Sequence, residues 1–364
     1  MPTPTEPVRF AIVGSGWRTR FMLRLAAAAP ERLRVVALVA HSDSSAARLA
    51  ADWPGIPVVR TLDDALAHAP EFVVAAVTWE AMPTVVAGLV ERGARVLAET
   101  PPAPTLDGLR ALWAAVGDSG LVQVAEQYLL MPGHAARAAV VASGAIGTPT
   151  SVQVASTHLY HATSMIRGLL GVGMAAATVT ARSFAAPLTD PLSPAGWAED
   201  PRPVSRSTTI ATIDFGEGRM GLYDFVENQW WNPLLSRRIV VRGTHGEIAD
   251  DVVRRWADGD VVVSPLSYRR TGVDLNLEGN DLVSVSFEGS VVYRNAWAGS
   301  RMSEDDIAVA QILADTGAWA RGHGPAPYPL ADACQDHALG LAIEESARTG
   351  ADVRVSPDVW SSAG

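Results

Sequence analysis

The segment VRFAIVGSGWRTRF, residues 8–21, constrains the fold more than any other stretch of the chain. An unbroken apolar run ends on Gly14-Ser15-Gly16 and gives way at once to helical spacing. A strand that is apolar at successive positions is buried on both faces. Gly14 then permits a tight turn, and Gly16 lets the backbone approach a ligand at a helix N-terminus. Unbonded N–H groups there favour an anion, so Gly14, Ser15, Gly16, Trp17 and Arg18 read as the phosphate loop of a dinucleotide site. Thr19 stands where the fingerprint has its third glycine, so the match is partial. A plain strand–helix turn would use the same two glycines, and the rest of the chain has to decide between them.

The downstream pattern supports a ligand. VVALVA (35–40), FVVAAV (72–77), RVLA (95–98) and LVQVA (121–125) are further short apolar runs, separated by the amphipathic stretches SSAARLAADW, PTVVAGLVERG and LDGLRALWAAVG. Strand and helix in turn predict a parallel, doubly wound α/β sheet, a Rossmann domain over residues 1–125. A carboxylate for the cofactor ribose would fall on Ala40 or His41, with Asp43 slightly late. Arg18, His41 and Ser42 would tolerate a 2′-phosphate, which leaves NAD and NADP both open. Thr78 and Trp79 follow the run at 72–77, where open α/β sheets bind ligands.

After Gly147 the pattern becomes β-rich: TSVQVAST, ATVTARSF, TTIATIDF, RMGLYDFV, RRIVVRGT, DVVVSPL and LVSVSF, with SMIRGLLG (164–171) as an early helix. These predict an α+β domain over residues 126–364 with a large, mostly antiparallel open sheet. The Pro-rich segment 190–203 reads as a loop. Two late helices, from Ser303 and from Leu330, are expected to pack back on the first domain.

Composition removes several functions. The net charge is −10 and the arginines are scattered, which argues against a nucleic-acid partner. All 29 basic residues are arginines, so no lysine can serve as base or Schiff-base former. One cysteine and no spaced ligand set give no metal site. No apolar run is long enough to span a bilayer and the first residues resemble no signal peptide, so a cytoplasmic protein with no membrane partner is expected.

Several stretches in fixed order resemble the glucose–fructose oxidoreductase/inositol dehydrogenase (Gfo/Idh/MocA) family: AIVGSGWRTRF, VVAAVTWEAMP, ERGARVLAETPPA, SGAIGTPTSVQV and HATSMIRGLLG. The resemblance implies a nicotinamide-dependent oxidoreductase acting on a ring carbon of a carbohydrate, and a homo-oligomer (dimer or tetramer) built through the open sheet. It also implies a proton relay of a lysine in Glu-Lys-Pro, then an aspartate and a histidine spaced D-x-x-x-H. Here those places hold Thr100, Thr157 and His161, so the chain is a divergent member. Glu99 and Thr100 are expected at the cofactor.

The segment THLYHATS (157–164) supplies replacement chemistry. Oxidising an alcohol needs a base for the hydroxyl proton, and histidine suits that task near neutrality. His161 is the expected base, with His158 and Tyr160 as helpers and Glu126 as a second acid/base candidate. Gln127 and Tyr128 follow the last apolar run of the first domain and should face the cleft, Gln127 toward cofactor and Tyr128 toward substrate. Trp230 and Trp231, set among amides in ENQWWNP, suit a sugar face. Two other functions fit the same residues: a glycoside-cleaving enzyme that oxidises a ring carbon transiently and eliminates the aglycone, and a cofactor-bound sugar sensor without turnover.

Overall fold

A computed structural model describes residues 6–193, 195–272 and 279–361. Strands β1 (Val8–Val13), β2 (Leu33–Val39), β3 (Val58–Val59), β4 (Phe72–Ala75), β5 (Val96–Ala98) and β6 (Val122–Val124) form one sheet. Its order is β3-β2-β1-β4-β5-β6, and every pair is parallel. Helices α1 (Trp17–Ala28), α2 (Asp43–Asp52), α3 (Leu62–Leu66), α4 (Met82–Glu91) and α5 (Leu106–Val116) make the crossovers. The strand order reverses between β1 and β4, and that switch point opens a crevice at the strands' carboxyl ends. Strands β1 and β4 are held together by the stacked, fully buried rings of Phe10 and Phe72, 5.5 Å apart. The sequence reading lacked β3 and α3, because two residues of strand and five of helix are too short to show a period.

The second half carries α6 (Pro132–Ala142), β7 (Pro149–Ala155), α7 (Leu159–Leu170), β8 (Ala177–Thr189), β9 (Leu192–Ser193), β10 (Gly196–Trp197), β11 (Pro203–Asp214) and β12 (Met220–Val226). It continues with β13 (Arg238–Gly243), β14 (Gly246–Ala249), β15 (Val252–Ala257), β16 (Asp260–Pro265), β17 (Ser267–Thr271), β18 (Asp281–Phe287) and β19 (Ser290–Arg294). Then come α8 (Glu304–Ala320), α9 (Leu330–Thr349) and β20 (Val353–Val355). Nine strands make one sheet, β16-β15-β14-β13-β7-β12-β11-β8-β20, antiparallel except where β12 runs parallel to β7. A separate sheet of β17, β18 and β19 flanks it. The expected α/β-plus-open-sheet architecture is the one observed.

Alternation along the nine strands separates two faces. Val152, Val179, Ile213, Tyr223, Val241, Ile248 and Val253 are buried on the side where α7 and α9 pack. Arg182, Ile210 and Asp224 pair across β8, β11 and β12 on the other face, which carries exposed Phe184, Ile210, Trp256 and Val261. Strands β8 and β11 run longer than their apolar patterns, since their ends pair with each other beyond the helices. The segment expected as a loop holds the two-residue hairpin of β9 and β10; Pro194 within it lies outside the described residues.

Helix α8 starts with a capping box of Ser303 and Asp306 and lies against α1 and β1. Arg24 with Asp306, and Arg321 with Glu71, tie its two ends to the parallel sheet's elements.

Candidate active site

A cleft of about 1150 Å³ runs from the phosphate loop to the start of α7. Gly14 has φ +132°, and a Cβ there would sit 2.0 Å from the Ala76 carbonyl oxygen, so only glycine fits this turn. At Gly16 an added Cβ would meet no atom within 4 Å, so its bareness faces the cleft. Gly16 is the N-cap of α1, no side chain caps the helix, and no acidic residue occupies its first turn. The first N–H groups of α1 are thus unspent beside an open floor, which suits a pyrophosphate. Thr19, in place of the third glycine, is fully buried with its hydroxyl unpartnered.

At the β2 end the cleft is lined by His41, Ser42 and Ser45. Asp43 is not among its lining residues. Its carboxylate pairs with Arg60, which also donates to the carbonyls of Ala40 and His41 at 3.0 and 3.1 Å. The sequence places Arg18 beside this ribose position, and the structure corrects that expectation. Arg18 Nε donates to Glu99 Oε1 at 2.6 Å and Nη2 reaches Gln127 Oε1 at 3.4 Å, both beyond β5 and β6 on the opposite side of the switch point. A guanidinium with a half-buried carboxylate within reach settles there because their mutual attraction offsets the desolvation of both charges.

At the other end α7 begins five residues earlier than its periodicity suggested, at Leu159, with His158 as N-cap. Histidine and tyrosine are indifferent helix formers, so the pattern alone placed the start at Ser164. Leu159 takes φ 36°, a left-handed conformation that costs about 1–3 kcal/mol in a branched residue. Its N–H donates to the Tyr223 hydroxyl at 3.3 Å, and α9 meets it at Gly340, where a Cβ would lie 3.3 Å from the Tyr160 nitrogen. That turn sends His158, Tyr160 and His161 into one ring cluster, with centroids 4.5–5.1 Å apart.

His161 is buried, and its Nδ1 lies 2.5 Å from Glu126 Oε2. The other oxygen of Glu126 accepts the Tyr128 N–H at 3.1 Å. A carboxylate accepting on both oxygens fixes the proton of the imidazole on Nδ1 and leaves Nε2 to accept another. Glu126 itself does not line the cleft; it stands behind His161. Tyr128 covers the ring at 4.4 Å. Burial pushes the Tyr160 phenol above the usual tyrosine range, a rise tempered by the neighbouring Thr100 hydroxyl. Thr100, in the loop after β5, therefore lines the same cleft as the histidine–tyrosine cluster.

Two sequence expectations need correction here. The sequence makes His158 a helper in proton transfer. Burial and the neighbouring His161 push its imidazole down to about 3, so it stays neutral and accepts protons weakly. It packs edge-on against Trp230, 4.6 Å away, as part of the wall. The sequence sets the amides of ENQWWNP beside the two tryptophans that suit a sugar face. Asn228, Gln229 and Asn232 are instead buried and hold the loop in place, through Asp190, through the carbonyls of Ala155 and Ser236, and through the carbonyl of Thr189. Trp230 and Trp231, stacked at 5.5 Å, do line the cleft.

All the other expected cofactor and substrate residues line it too: Ser15, Trp17, Thr78, Trp79, Glu99 and Gln127 among them. The sequence reading missed Met131, His134, Ser156, Arg237 and Asp305. Asp305 was hidden in an acidic helix start that capping explains by itself. Arg237 was hidden in one of several arginine pairs. Among the described residues no cluster of three or more histidine, cysteine or acidic side chains is placed to hold a metal ion, and no helix is long and apolar enough to cross a membrane.

A parallel dinucleotide sheet joined to a mostly antiparallel open sheet, with a cleft between phosphate loop and histidine cluster, defines the class of two-domain nicotinamide-binding oxidoreductases. Residues 8–127 match the family model described as oxidoreductase family, NAD-binding Rossmann fold, so the nucleotide-binding part of the chain is similar to the Gfo/Idh/MocA family. Solved structures share the whole fold. A levoglucosan dehydrogenase in complex with NADH and levoglucosan is 18% identical, covering 96% of this chain and 100% of its own, with a TM-score of 0.68. A myo-inositol dehydrogenase from Corynebacterium glutamicum is 19% identical, with 97% and 100% covered and a TM-score of 0.66. The WlbA dehydrogenase from Bordetella pertussis, in complex with NADH and UDP-GlcNAcA, is 18% identical, with 98% and 100% covered and a TM-score of 0.65. No curated protein matches the sequence.

Proposed function

We infer that the protein transfers hydride between a nicotinamide dinucleotide and a ring-carbon hydroxyl or ketone of a sugar or glycoside, with His161 taking or returning the proton. The observation that supports this most is the Glu126–His161 hydrogen bond at the end of a cleft whose other end is the open N-terminus of α1. Gly14, Ser15 and Gly16 would hold the pyrophosphate, and Thr78, Trp79, Glu99 and Gln127 the nicotinamide half. When bound, the nicotinamide supplies the hydride acceptor or donor. In the oxidative direction Nε2 of His161 takes the hydroxyl proton, and the imidazolium that forms is stabilised by the buried Glu126 carboxylate. Tyr160, neutral and linked to Thr100, donates a hydrogen bond to the same substrate oxygen. Trp230 and Trp231 provide a flat apolar face for the ring.

The adenosine end supports a finer reading: with Asp43 drawn off to Arg60, the lining of His41, Ser42 and Ser45 presents no carboxylate to repel a 2′-phosphate, so NADP is accepted as well as NAD. The open face of the nine-stranded sheet is proposed as the contact between copies of the chain.

The test is turnover of a sugar panel with NAD and NADP, followed at the nicotinamide absorbance band, in wild type and His161→Ala. Turnover that His161→Ala abolishes while dinucleotide binding survives supports the assignment; unchanged turnover overturns it. Aglycone release without net reduced cofactor replaces it with glycoside cleavage. Dinucleotide and sugar binding without either product replaces it with a sensor.

A further inference from the structure

The charges of the cleft are divided between its two sides. On the side of the parallel sheet, Arg18 is matched by Glu99, and Asp305 lies near Gln127 Nε2, at 3.5 Å. On the side of the open sheet the lining cation is Arg237, and no carboxylate of the described residues pairs with it. Its neighbour Arg238 shows the contrast. Side chains alternate as β13 begins, and Arg238 turns to the open face, where it donates to Asp224 at 2.9 Å. Arg237 turns to the cleft, and its hydrogen bond within the protein goes to the Trp230 carbonyl. Its remaining N–H groups meet no acceptor among the described residues.

A second donor stands beside it. His134, in the first turn of α6, lies with Nδ1 3.0 Å from Arg137 Nη1. A guanidinium only donates, so Nδ1 is the acceptor and the ring's proton sits on Nε2. Burial, Arg137 and Arg237 together push this imidazole down to about 3, so it remains a neutral donor across the working range. Arg137 is itself paired with Asp251, at 2.8 Å, which leaves Arg237 as the uncompensated charge.

Resting on the reading of the cleft as a sugar oxidoreductase site, we propose that the substrate carries an anionic substituent, a carboxylate or a phosphate monoester, received by Arg237 and His134 Nε2 beside Trp231. Planar guanidinium donors and a fixed N–H match such oxygens, and a neutral hydroxyl in the same place would leave the cation unpaired.

The experiment is equilibrium binding, followed by quenching of tryptophan fluorescence, for neutral hexoses and for their uronates and 6-phosphates, with glucose, galactose, mannose and N-acetylglucosamine as parents. We expect at least one charged series to bind at least about tenfold tighter than its neutral parents, the order of a charge-assisted hydrogen bond. That preference should weaken with salt and collapse toward unity in Arg237→Gln, with Arg237→Lys retaining part of it. Whether the uronate or the phosphate carries the preference identifies the substituent. Neutral parents binding as tightly as both charged series, or a preference that survives Arg237→Gln, would overturn the proposal while the oxidoreductase reading stands. Failure of every sugar to bind or turn over overturns that reading itself.

Discussion

Glu126 Oε2 and His161 Nδ1, 35 residues apart in the chain, meet at 2.5 Å in a buried hydrogen bond. One belongs to the loop after the last parallel strand and the other to the first turn of α7, so the pair joins the two sheets' elements at one end of the cleft. His161→Ala is expected to lower kcat by about 10²–10⁴-fold, the usual worth of a general base. Glu126→Gln keeps the shape but loses the charge that steadies the imidazolium, and should cost less than His161→Ala. Steady-state kinetics with dinucleotide affinity measured in parallel checks both.

Thr100 stands where the resemblance places a lysine, and its hydroxyl is near enough to temper the rise of the Tyr160 phenol. A threonine hydroxyl orients and does not act as base, so Thr100→Val should lower kcat by less than about tenfold, well short of the loss in His161→Ala. A loss in Thr100→Val equal to that in His161→Ala would show that the loop after β5 carries the proton after all.

The two glycines of the phosphate loop should fail in different ways. Gly14→Ala forces a Cβ onto the Ala76 carbonyl and should lower the Tm. Gly16→Asp adds a side chain into open space, so the Tm should hold while the negative charge raises the Kd for NADH at least about tenfold. Calorimetry and dinucleotide titration separate the two effects.

Three buried or half-buried histidines predict acid sensitivity. His134 and His158 are pushed down to about 3 and His337 to about 4, each chiefly by burial. An unfolded histidine titrates near 6.5, so below that value the unfolded chain binds protons that the native chain refuses. Stability should therefore fall as pH drops from about 6.5 toward 4, whereas Asp336, pushed up to about 6 by burial, works in the opposite sense. Thermal melts from pH 7 to pH 4 should show the decline, and His337→Gln should flatten it.

The exposed sheet face gives the last expectation. Ile210→Arg places a charge among Phe184, Arg182 and Asp224 without touching the buried side. Sedimentation velocity should show a smaller species with unchanged far-ultraviolet dichroism. An unaltered assembly would remove this face as the contact between copies.

The parallel sheet was legible in the sequence because strands buried on both faces leave continuous apolar runs, and the phosphate loop because a close backbone approach admits only glycine. The open sheet was legible from alternation. By itself the sequence also singled out His161, since THLYHATS concentrates the available bases in one segment. It did not show that Glu126 would stand behind that ring, that Arg18 would leave the ribose end for Glu99, or that Arg237 would part from Arg238 and face the cleft. Nor did it show that the amides around Trp230 would turn inward to bind backbone. Period and glycine placement are local consequences of backbone geometry, so one stretch of chain carries them. Which carboxylate meets which cation, and which imidazole stays neutral, depends on desolvation and on partners brought together from distant segments, and only the folded structure decides that.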